Sequence, residues 1–104
     1  MASKLKLQPN PTFKCKVGIP VPGGEPVPVE IEYRHHSVSS INKFWEEHSG
    51  AANVEVVWLL VAGWDLEDEY NRDNLQALLD NYPGAAAEIV GSFTAELYNA
   101  RRGN

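Results

Sequence analysis

Trp64, Asp65, Leu66, Glu67, Asp68, Glu69 and Tyr70 lie in the segment Gly63–Asp73, GWDLEDEYNRD, where five carboxylates and one Arg follow a nearly continuous apolar run. Acids so close together can form a metal loop, an acid/base pair, a rim that meets a partner, or a solvated turn. A calcium loop needs oxygen ligands at positions 1, 3 and 5, a glycine at 6 and a bidentate Glu at 12. Counted from Asp65, position 6 is Tyr70 and position 12 is Gln76, so the turn glycine and the last carboxylate are both missing. Glu67 and Asp68 lack a second constellation that would build a pocket and separate their pKa values, as paired catalytic carboxylates require. Acids just ahead of a helix also complement its dipole, which explains several of them structurally.

The remaining candidates are sparse. His35 and His36 are adjacent, and on an extended chain their side chains point to opposite faces and cannot share an ion. His48 has no ligand partner at helical spacing. Cys15 falls on the apolar side of its segment and reads as core rather than nucleophile. PGGEPVP lacks the Lys-Ser/Thr ending of a phosphate-binding loop. The sequence therefore predicts no catalytic residue, no metal site and no cofactor. Trp45, Trp58 and Trp64 read as core by default, Trp58 as buried within the most apolar segment. Trp64, beside the acidic loop, is either a core plug or an interface anchor.

Two layers must position these residues. TFKCKVGI alternates Phe13, Cys15, Val17 and Ile19 against Lys14, Lys16 and Gly18, and VPVEIEY repeats the period of two. The glycines of PVPGGEP between them permit a reversal. An antiparallel β-hairpin over 10–36 follows, with lysines of one strand facing glutamates of the other. Pro28 has no N–H and predicts an edge strand, at least near its start. An isolated hairpin is marginal in water, so helices must cover it.

The segment 39–100 reads as helical. Ile41, Phe44, Trp45 and His48 share one face, with Ser39 or Ser40 as cap and Gly50 as stop. NVEVVWLLVAGW allows a strand or a helix; the spacing of Val54, Val57, Trp58 and Val61 favours a short, largely buried helix ended by Gly63. Asp73 with Gln76 reads as a capping box ahead of Leu75, Leu78, Leu79 and Tyr82. Pro83 suits the first turn of a final helix burying Ala86, Ile89, Val90, Phe93 and Leu97, with Arg101 and Arg102 at its negative end. The fold class is α+β, one domain over 1–104, with three to four short helices on an N-terminal hairpin.

Charge limits the partners. Residues 1–44 carry six Lys/Arg and three Glu, a formal +3, and residues 45–104 carry three Arg and eleven Asp/Glu, a formal −8, which together give −5. The acidic part repels phosphate backbones, so nucleic acid is excluded as a partner. The longest apolar run, Val56 to Ala62, is too short to span a bilayer, and MASKLKLQPN has no apolar signal region. With one cysteine, the expected compartment is cytosolic.

In order and spacing, IPVPGGEPVPVEIEYRH followed by LLVAGWDLEDEYNRDNLQALLDNYPGAAAEIVGSF resembles the tail assembly chaperones of long-tailed bacteriophages and prophages. The strongest parts are Gly63 to Leu66 and Leu78 to Pro83, over a likeness spanning roughly residues 10–102. The resemblance implies a protein of the bacterial cytoplasm that binds the tape measure protein and keeps it soluble, with the tail tube protein as a further partner. Trp64, Leu66 and Tyr70 are then expected at the client, with Asp65, Glu67, Asp68 and Glu69 around them. The competing class is a small structural tail subunit of terminator or joining type.

Overall fold

A computed structural model describes residues 3–98. Its first two strands are β1 (Thr12–Ile19) and β2 (Val27–Arg34), paired antiparallel with Lys14 opposite Glu32 and Lys16 opposite Glu30. Phe13, Cys15, Val17 and Ile19 share a face with Val29, Ile31 and Tyr33, as the alternation predicts. The reversal is a turn in which Gly24 N–H donates to Val21 O at 2.9 Å, with Pro22 next and Gly23 at φ 79°. Pro fits the first central position of such a turn and Gly the second, where φ is positive.

Four helices follow, α1 (Val38–Glu47), α2 (Asn53–Leu60), α3 (Arg72–Asn81) and α4 (Ala85–Tyr98), with a third strand, β3 (Val61–Trp64), between α2 and α3. The fold is α+β, as expected, but the helix drawn through Val61 and stopped at Gly63 is corrected. Helix α2 ends at Leu60, and Val61 closes it by donating its N–H to Val57 O. The same residue begins β3 opposite Tyr33, with no residue between helix and strand. Strand pairing to β2 overrides the helical spacing of a β-branched segment. Sheet order is β1-β2-β3, so β2 is central. The edge reading of Pro28 holds only near the strand's start, because β3 pairs Ile31 to Tyr33 and stops short of Val27–Val29.

The helix ends differ from expectation in four places. Ser37, not Ser39 or Ser40, caps α1, accepting from Ser40 N–H at 3.1 Å. Asn71, not Asp73, caps α3, accepting from Asn74 N–H at 2.8 Å. Helix α1 stops at Glu47, ahead of Gly50 at φ 80°. Pro83 precedes α4 by two residues rather than sitting in its first turn. Arg101 and Arg102 lie outside the described residues.

The core lies between the sheet and the helices. Phe13, Tyr33 and Phe93 form an aromatic cluster with ring centroids 5.4–6.0 Å apart, and Tyr33 Oη donates to Ile89 O at 2.7 Å. Burial of that phenol raises its pKa far above the ordinary value. Ile41, Val57, Leu60 and Leu75 are buried beside the cluster. Val90 and Leu97 are only half-buried. Trp58 is also half-buried, a correction: eight residues of α2 leave the indole at the rim, stacked on Tyr70.

Candidate functional site

The acidic segment leaves β3 and returns to α3 as a fastened loop. Asp65 N–H donates to Glu30 O at 3.2 Å, while Asp65 Oδ1 accepts from Glu30 N–H at 2.9 Å. Asp65 thus satisfies both backbone groups of Glu30 where β3 has ended, taking the place of a strand neighbour. Backbone groups alternate sides along a strand, so Pro28, two residues earlier, turns its missing donor towards this same open side. Trp64 Nε1 donates to Asp68 O at 2.7 Å, and Asn74 Nδ2 donates to Glu69 O at 2.7 Å. Tyr70 Oη donates to Val61 O at 3.0 Å, and its ring lies edge-on to Trp64 and stacked on Trp58. Burial pushes the Tyr70 phenol up to about 12. Arg72 pairs with Glu55, tying the base of the loop to α2.

Because β3 is four residues long and β2 is eight, the first half of β2 has no third strand beside it. An open groove of about 390 Å³ occupies that place. Ile19, Val21, Val27 and Val29 come from the hairpin, Trp64, Leu66 and Asp68 from the loop, and Ala77, Leu78 and Tyr82 from α3 and its end. Asn74, Leu78 and Asn81 follow the helical spacing that puts them on one stripe facing the groove. Past Tyr82 the α3–α4 turn comes close to the hairpin: a Cβ on Gly84 would stand 3.0 Å from Pro20 Cγ, so a larger residue there would force the proline ring to give way.

Three of the seven expected residues, Trp64, Leu66 and Asp68, line this groove. Asp65, Glu67 and Glu69 are exposed on the same loop, and Tyr70 packs behind Trp64. The hairpin residues were not expected at the site. Leu78 and Tyr82 had a signal, since both stand on the predicted apolar stripe, yet that stripe reads equally as core. The lining is apolar apart from Asp68, two Asn amides, the Trp64 indole N–H and the Tyr82 hydroxyl, with no basic side chain. Such a surface suits apolar side chains approaching from a basic chain.

The histidines lie elsewhere. His36 bonds Ser40 Oγ through Nδ1 at 2.9 Å, and His48 Nδ1 donates to Phe44 O at 2.9 Å. Among the described residues no three His, Cys, Asp or Glu converge as metal ligands, and no helix is long and apolar enough to cross a membrane. Cys15 is buried on the core face of β1.

A family model described as phage tail assembly chaperone matches residues 1–104. No curated protein and no solved structure gave a match.

Proposed function

Because the chain belongs to the phage tail assembly chaperone family, we propose that it binds and solubilises the tape measure protein during tail morphogenesis, in the cytoplasm of the bacterial host. The groove between the hairpin and α3 takes an apolar stretch of that client, and the protein's net charge of −5 keeps the complex in solution. Trp64, Leu66 and Asp68 touch the client. Asp65, Glu67 and Glu69 surround it, and Tyr70 acts through the indole it supports. The tail tube protein is a further partner when the client is handed over. Holding a chain in this way requires no bond to be made or broken. The observation that carries the reading is an open apolar groove beside an acidic loop in a chain of this family.

The test is co-expression with the tape measure protein, reading how much client stays soluble and co-purifies. Ala77 is exposed and lines the groove, so Ala77→Arg places a bulky cation there without disturbing the core. It is expected to lower soluble client several-fold, and replacing Asp65, Glu67, Asp68 and Glu69 by Ser is expected to do so less. Client recovered with Ala77→Arg at the wild-type level would sink the groove assignment. Recovery of the chain in fixed stoichiometry from purified virions would favour the structural-subunit class instead.

A further inference from the structure

Ahead of β1 the chain reads Lys4-Leu5-Lys6-Leu7, and both leucines stand in solvent, 86% and 95% exposed. Once extended, such a segment shows two leucines on one side and two lysines on the other. A single exposed leucine needs no explanation, but a basic arm with a paired apolar side has the chemistry that the groove selects. Val27 in the groove is itself 51% exposed, Asp68 lines it, and Asp73 and Asp80 flank Ala77 on the neighbouring stripe of α3.

We propose that the arm of one copy docks in the groove of a second copy. Leu5 and Leu7 enter among Val27, Val29 and Leu78, while Lys4 and Lys6 face Asp68, Asp73 and Asp80. The arm's own groove is a poor receiver. At full stretch Leu7 reaches ~18 Å and Leu5 ~25 Å from Thr12, against roughly 23 Å along β1 to Ile19, but an arm that precedes β1 must spend residues 8–11 on a reversal before it can run back along the strand. Arm and groove thus sit towards opposite ends of β1. Two copies side by side in opposite directions offer each arm the other's groove, and that exchange closes on itself as a two-fold dimer. In the free protein the arm covers the groove, and a client binds by displacing it.

This inference rests on the proposed groove being a docking surface, but its test contains no client, so it can fail while the client reading stands, and the reverse. Sedimentation velocity of the full chain over a concentration series should show a monomer–dimer equilibrium. Leu5→Asp/Leu7→Asp should weaken dimerisation by at least about 100-fold, and Ala77→Arg should abolish it, both with unchanged circular dichroism. Mixing these two monomeric variants should restore a heterodimer, because one supplies the groove and the other the arm. A wild type that stays monomeric throughout, an arm variant that dimerises like wild type, or a mixture that never pairs would each overturn the proposal.

Discussion

The imidazole of His36 lies against Phe44 and edge-on to Phe93, with ring centroids 5.6 and 6.1 Å away. One nitrogen meets Ser40 Oγ, and the other, Nε2, is buried without a hydrogen-bond partner. Burial holds its pKa below the ordinary value, and the neighbouring His35 and Arg34 push it the same way. A histidine depressed in the folded state binds protons more readily when unfolded. Its contribution is therefore intact above about pH 6.5 and is lost as pH falls from there through the folded value. His36→Gln is expected to flatten the acid side of the stability curve below about pH 6.5, measured by urea denaturation at a series of pH values. An unchanged slope would show that another group carries the acid sensitivity. Adjacency argued against an ion site at His35 and His36 only on the premise of a continuing strand, and β2 ends at Arg34, so that premise does not hold at these two residues. The wedge made by His36 was not legible, since it needs Phe44 of α1 and Phe93 of α4 to reach the same residue beyond the end of β2.

Elements with their own local signal were the legible part of this fold. The period of two in residues 12–34 gave the hairpin and its face, and the stripe Leu75, Leu78, Tyr82 gave α3. Caps were less legible, because Asn71 and Asp73 are both good cap residues two positions apart. Asn71 takes the role because its backbone is extended, at φ −147°, while Asn74 is already drawn back to Glu69 O. Asn71→Ala should therefore cost about 1 kcal/mol of unfolding free energy, and Asp73→Ala only a few tenths through the helix dipole. Equal losses in denaturant titrations would return the cap to Asp73. Strand β3 was the harder case. Its four residues carry no period of their own and become a strand by pairing with Ile31–Tyr33, a contact across some thirty residues of sequence.

Across the whole molecule the two described ends carry unequal burdens. Helix α4 packs on β1, so the last element completes the face that the first one opens. Ile89 and Phe93, at 1% and 0% exposure, belong to the same core as Val17 and Tyr33. Removing residues 85–104 should leave a chain without a cooperative thermal transition. Removing residues 1–8, whose described side chains are all exposed, should leave unfolding of the monomer unchanged. A cooperative transition after the first truncation would show that the hairpin and the remaining helices suffice. The groove was out of sequence reach for the same non-local reason: hairpin, loop and α3 each supply a wall, and only the shortness of β3 leaves the space between them. The direct junction of α2 and β3 at Val61 has a consequence for how this chain can change in length. One inserted residue there would swing the preceding helix by about 100° or turn every following strand side chain to the opposite face. The tip at Pro22–Gly24 faces no such constraint. Lineages built on this plan are free to grow at the tip and are held to a fixed count at the junction.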